Sequence, residues 1–151
     1  MGMDVYGTEP LNQKGEYFRN NVWWWHPLWS YCQETHPDIT FSVKNGHDNS
    51  GDGLDSKGAV NLGLALKKDI ASGAVLAYEQ KRTSYLEGLP LEPCSLCQAT
   101  GIRDDQYVKG LCNSCSGSGN VKSFETSYHF DPQNVEIFAE FLINSGGFSI
   151  C

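Results

Sequence analysis

Residues 93–120 read PCSLCQATGIRDDQYVKGLCNSCSGSGN, and their four cysteines restrict what the segment can become more than any other feature of the chain. Cys94 and Cys97 form one CxxC pair, Cys112 and Cys115 a second, and the 14 residues from Gln98 to Leu111 separate them. A CxxC turn aims two sulfurs at one point, and a linker of this length returns the second pair to the same point. That is the ligand set of a closed tetrahedral zinc site. The expectation is one structural Zn2+ held by Cys94, Cys97, Cys112 and Cys115. Glycines follow each pair, in CQATG and CSGSG, where a residue without Cβ lets backbone N–H groups turn toward sulfur. A thioredoxin-type dithiol uses a single pair between a strand and a helix, so the doubled motif argues against redox catalysis.

CSLCQATG and CNSCSGSG resemble two of the CxxCxGxG repeats in the cysteine-rich zinc domain of DnaJ chaperones. The second matches throughout, whereas the first has Ala99 in place of a glycine, and two repeats stand here where that domain has four. His36-Pro37-Asp38 carries the letters of the J-domain motif but does not lie between two J-domain helices. The resemblance implies a zinc knuckle and protein binding, and does not extend to co-chaperone activity. Through DVYG, GEYFRNNVWWWHPLW, GHDNSGDGL, the cysteine pairs and the ending GGFSIC, the chain also resembles a group of small uncharacterised bacterial and phage-type proteins. That likeness implies a bacterial or viral origin and no particular chemistry.

With 151 residues, 40% of them hydrophobic, the chain suits a single domain over 1–151, with a zinc-knuckle sub-lobe at 92–121. No window approaches the roughly 18 consecutive apolar residues of a membrane span, and MGMDVYGTEP lacks the basic and apolar regions of a signal peptide. A cytoplasmic setting follows, in which thiols stay reduced and paired cysteines read as metal ligands. The net charge of −7 argues against nucleic acid as a partner, since that affinity rests on lysine and arginine displacing counterions.

Periodicity points to an α+β fold with short N-terminal strands, three or four helices and a small β-hairpin lobe carrying the knuckle. The aromatic runs on either side of GTEPLNQKG predict two strands, the second including the tryptophans. Pro27 suits the first turn of a short helix that Pro37 ends. Asp55 or Ser56 caps a helix with Ala59, Leu62, Leu66 and Ile70 on one face, and a second helix runs from Ala74 to Glu87. NVKSFETSYHF reads as a strand, and Asp131 with Pro132 opens a last helix striped by Val135, Phe138 and Leu142, which SGG closes.

Trp23, Trp24, Trp25 and Trp29 fall within seven residues. Consecutive side chains on a strand alternate faces, so such a run puts at least one indole near the surface, where it can anchor a partner or stack on a ring. Arg19, His26 and His47 add polar groups to that face. The loop HDNSGDGLD opens like an EF-hand, but its twelfth position is Ala59 where calcium needs a bidentate glutamate. A turn into a capped helix explains the loop, and Cys32 reads as a buried structural thiol. The leading reading is a zinc-stabilised binding or adaptor protein that works by protein–protein contact, one version being a phage-type inhibitor of a host machine. One alternative is a small-ligand binding protein that takes a nucleotide or aromatic molecule on the tryptophans, and another is a small hydrolase built on the His47 loop.

Overall fold

The computed structural model describes residues 2–151. In chain order it contains β1 (Gly2–Gly7), β2 (Tyr17–Asn21), α1 (Val22–Thr35), the one-turn α2 (Pro37–Thr40), β3 (Gly53–Asp55), α3 (Ser56–Ser72) and α4 (Ala74–Glu87). Four short strands follow, β4 (Glu92–Pro93), β5 (Ile102–Asp104), β6 (Lys109–Leu111) and β7 (Asn120–Val121), then α5 (Pro132–Asn144) and β8 (Gly147–Ile150). This is a small α+β fold. The chain divides into two compact units, one running to Lys81 and resuming at Tyr128–Cys151, the other comprising Arg82–Ser127.

In the first unit the strands form an antiparallel sheet in the order β2-β1-β8-β3. The last strand is inserted beside the first, pairing Val5 with Ile150. Met3 and Val5 turn inward from β1, while α1, α3 and α5 bury Trp25, Trp29, Leu62, Leu66, Phe138 and Phe141 in the same core. The Trp25 and Trp29 rings stack with centroids 5.7 Å apart, and Phe138 meets Trp25 edge-on at 5.5 Å. Gly63 allows α3 to approach α5 closely: a Cβ there would lie 3.0 Å from the Ala139 carbonyl oxygen and 2.7 Å from Ile143. The caps are those of the sequence. Asp55 Oδ1 accepts from the Gly58 N–H at 2.7 Å, and Asp131 Oδ1 from the Gln133 N–H at 2.9 Å. Gly73 ends α3 in the left-handed conformation, with φ 82°.

Three sequence expectations are corrected. The tryptophan run lies on α1 and not on a strand, because Asn21 Oδ1 accepts from the N–H groups of Trp23 (3.1 Å) and Trp24 (3.3 Å) and starts the helix at Val22. Pro27 consequently sits inside the helix, where it leaves the Trp23 carbonyl without its helical donor. The His129 N–H takes that place at 2.9 Å. Pro37 both ends α1 and opens α2. NVKSFETSYHF forms only the two-residue β7 and then a 3-10 turn at Phe124–Ser127, in which the Thr126 hydroxyl and N–H both donate to the Ser123 carbonyl, at 2.7 and 3.0 Å. Short strands β3 and β8, which the sequence reading did not anticipate, complete the sheet.

Candidate functional site

The second unit is organised on its cysteines. Each CxxC turn is followed by a residue sequence that makes the same hydrogen bonds in both repeats. The Ala99 N–H donates to the Cys94 carbonyl at 3.0 Å and the Gly117 N–H to the Cys112 carbonyl at 3.1 Å. Gly101 N–H donates to Cys97 Sγ and Gly119 N–H to Cys115 Sγ, both at 3.3 Å. The Thr100 hydroxyl donates to the Cys97 carbonyl at 2.6 Å, and the Ser118 hydroxyl to the Cys115 carbonyl at 2.7 Å. The repeats also interlock: Cys112 N–H donates to the Gly101 carbonyl at 2.8 Å and Cys94 N–H to the Gly119 carbonyl at 2.9 Å. Two copies of one local structure, related by approximate twofold symmetry, therefore face each other. The antiparallel ladders β4–β7 and β5–β6 follow from it.

This arrangement brings all four predicted ligands together. The four thiols are buried, and their sulfurs lie within 4.8 Å of one another. Cys94 Sγ is 3.9 Å from Cys112 Sγ, and Cys97 Sγ is 3.7 Å from Cys115 Sγ. Four sulfurs held about 2.3 Å from one centre stand about 3.8 Å apart in a regular tetrahedron, so the donor set can hold a metal ion. The thiols are not equivalent in the bare protein. The Cys97 N–H, with further donors, lowers Cys94 to about 6, whereas burial raises Cys97 to about 11. A divalent cation at the centre favours the thiolate at every position. Glycine is required at two points. A Cβ on Gly101 would lie 2.3 Å from the Gly117 carbonyl oxygen, and one on Gly119 would lie 2.3 Å from that of Ala99.

The first unit separates the tryptophans into two pairs. Trp25 and Trp29 are fully buried, with Trp25 Nε1–H donating to the Gly46 carbonyl at 2.8 Å. Trp23 and Trp24 are half-buried, and their rings pack on Tyr128 and His129 with centroids 5.0 Å apart in each case. His26 faces His47, Nδ1 to Nδ1, at 2.8 Å, and His47 Nε2 meets Gln33 Oε1 at 3.0 Å. Arg19 is exposed on β2 and pairs with Asp4 at 3.5 Å. The structure thus joins Trp23, Trp24, His26 and His47 in one aromatic strip and leaves Arg19 paired on the sheet. Tyr128, His129 and Gln33 complete the strip without having been singled out in the sequence. No local signal marked Tyr128 and His129, because they reach Trp23 and Trp24 only through contacts between distant parts of the chain.

A second polar cluster was also missed. Tyr31 hydroxyl and His36 Nε2 both approach Asp69 Oδ2, at 2.8 and 2.6 Å, tying α1 and α2 to α3. Cys32 beside it is fully buried, and burial raises its thiol far above the ordinary range. In the glycine-rich loop the Asp52 carboxylate accepts from the N–H groups of Asn45 (2.8 Å) and Gly53 (2.9 Å), so its oxygens brace the turn.

No family model matches the chain, and neither the curated proteins nor the solved structures include a match. No helix among the described residues is long and apolar enough to cross a membrane.

Proposed function

We propose that the chain is a zinc-stabilised binding protein that acts by contact with another protein. The observation carrying this reading is the gathering of four buried thiols within 4.8 Å of one another, each repeat closed by an N–H···S hydrogen bond. Four thiolates favour zinc among the common divalent ions, and they occupy all four positions of its tetrahedron. A saturated ion has no site for water and cannot generate a nucleophile, so it stabilises the knuckle and any activity resides elsewhere.

Protein contact is supported by the apolar side chains that the knuckle unit leaves outside. Leu96, Ile102, Leu111 and Tyr107 are 58, 61, 71 and 82% exposed, and Ile102 and Leu111 are cross-strand partners. The likeness of the repeats to the DnaJ zinc domain supports the same reading. An inhibitor of a host machine, of the phage type, is one version of it. The half-buried Trp23 and Trp24 offer a second contact area on the first unit.

Affinity capture from a bacterial lysate followed by mass spectrometry tests the proposal with three zinc-loaded baits: the native chain, Leu96→Ser/Leu111→Ser and Trp23→Ala/Trp24→Ala. A protein retained by the native chain and lost by at least one folded variant is expected. Identical capture by all three removes both surfaces from consideration. Metal analysis finding well under one zinc per chain in protein purified without chelator overturns the metal assignment.

A further inference from the structure

We propose that His26 and His47 form a proton-sensitive latch, which holds the tip of the glycine-rich loop at residues 46–50 against α1 and releases it when both rings are charged. The two Nδ1 atoms are 2.8 Å apart and the ring centroids 4.9 Å, nearly the sum of that distance and the two ring radii. The nitrogens therefore meet almost head-on, along their lone-pair directions. That is the geometry of one shared proton and not of two ligands converging on a metal to one side.

The proton inventory follows from the neighbour. With Gln33 Oε1 accepting, His47 Nε2 carries hydrogen, its Nδ1 is the bare acceptor, and His26 Nδ1–H is the donor. A first added proton goes to His26 Nε2, which leaves the bond in place and makes it charge-assisted. A second has only His47 Nδ1 to occupy. It removes the acceptor and sets two cations face to face. The latch therefore tolerates one charge and fails with two.

Burial lowers both rings from their ordinary value, and for His47 the charge of His26 lowers it further while Asp48 opposes the shift. Among the described residues Tyr128 also faces the pair, its ring centroid 5.9 Å from that of His26. Because both folded values lie below the unfolded one, the latch contributes fully above about pH 6.5 and its contribution disappears as pH falls through the lowered values.

What the tip covers gives the release a consequence. The Gly46 carbonyl accepts from Trp25 Nε1 at 2.8 Å, and a Cβ on Gly46 would lie 1.9 Å from Trp29 Nε1. The tip is thus a lid on the stacked Trp25 and Trp29. Its ends are pinned by Asn45 N–H to Asp52 (2.8 Å) and Gly51 N–H to the Ile150 carbonyl (2.7 Å); within it Asp48 N–H bonds the Asn45 carbonyl (3.1 Å), and besides the histidine pair and Trp25 the tip is tethered by His47 to Gln33 (3.0 Å) and by Asn49 Nδ2 to the Gly2 carbonyl (3.2 Å).

Nuclear magnetic resonance reads the latch through hydrogen exchange at the Trp25 indole N–H, corrected for intrinsic rate, between about pH 7.5 and about pH 5. Protection should fall at least about tenfold, the equivalent of one pKa unit, with the two imidazoles titrating in separate steps and the fall following the second. His47→Gln and His26→Gln retain a polar side chain that cannot charge, and should each give a flat profile. Constant protection in the native chain while both rings titrate overturns the latch, as does an equal fall in a folded variant. If neither variant folds, the native chain alone decides: protection that falls with the first imidazole step, or with none, refutes the proposal.

Discussion

At the scale of single residues, the knuckle contains three non-glycine positions in the left-handed region, Gln98 (φ 51°), Ala99 and Ser116 (φ 51°), and of these Ala99 is the one whose counterpart in the other repeat is glycine. Ala99 has φ 64°, a left-handed conformation that glycine adopts freely, whereas its counterpart Gly117 has φ 83°. An L-residue in that region is disfavoured by about 1–2 kcal/mol, and the extra freedom of unfolded glycine offsets part of the relief. Ala99→Gly is expected to stabilise the zinc-bound knuckle by about 1 kcal/mol, seen as slower zinc transfer to a chromogenic chelator. Transfer no slower than in the native chain would show that the strain is relieved elsewhere. The tryptophans divide by burial in the same way. Trp25→Ala or Trp29→Ala empties the centre of the core and should cost about 3 kcal/mol or more in chemical denaturation. Trp24→Ala, at a half-buried ring against His129, should cost clearly less, so its effect on a captured partner can be read in folded protein.

Within elements, Gly46 makes a test of the loop that does not depend on pH. Its Cβ would occupy the space of the Trp29 indole, so Gly46→Ala should lift the tip at neutral pH, lower stability by about 1–3 kcal/mol and make tryptophan fluorescence more quenchable by iodide. Unchanged quenching would mean that the indole, and not the loop, moves. The helices that were legible in the sequence are those with both a cap and a stripe. α3 has Asp55 before it, Gly73 after it, and Ala59, Leu62 and Leu66 buried. α5 has Asp131 and Pro132 at its start, with Gly146 left-handed beyond its end at φ 64°. The metal ligands were legible for a comparable reason, since paired spacing and following glycines specify a local structure that needs nothing from the rest of the chain. The start of α1 was misplaced because its aromatic run satisfies strand preference, while the deciding feature is one hydrogen-bonding side chain, Asn21. The interior Pro27 then depends on His129, more than a hundred residues away, to occupy the Trp23 carbonyl. The His26–His47 pair was illegible for the same reason: its two halves meet only after the loop has folded onto the helix. Both histidines could be named, but not their relation.

For the molecule as a whole, the decisive fact is that its buried clusters share no residue. One contains the aromatic and aliphatic side chains of the sheet and of α1, α3 and α5, and the other consists of the four cysteines with Val121 against them. The second cluster buries too little apolar surface to hold a fold without its ion, as in other small units that depend on metal for order. On the proposed zinc assignment, removal of the ion should therefore disorder the knuckle and spare the first unit. Treatment with a strong chelator at neutral pH, or the change Cys112→Ser, is expected to abolish amide dispersion over residues 92–121 and to make the remaining cysteine thiols of the knuckle reactive. Resonances of Phe138, Leu62 and Ile150 should stay in place, as should most of the far-ultraviolet helix signal. Acid adds a second route to the same state, because the ligands must be deprotonated to hold the ion. Following zinc release and Trp25 indole protection in one acid titration then separates the two events. In Cys112→Ser the loss of Trp25 protection should keep its native midpoint, since His26 and His47 belong to the other unit. A knuckle that remains ordered without metal, or a core that melts with it, would contradict this division of the stabilising interactions.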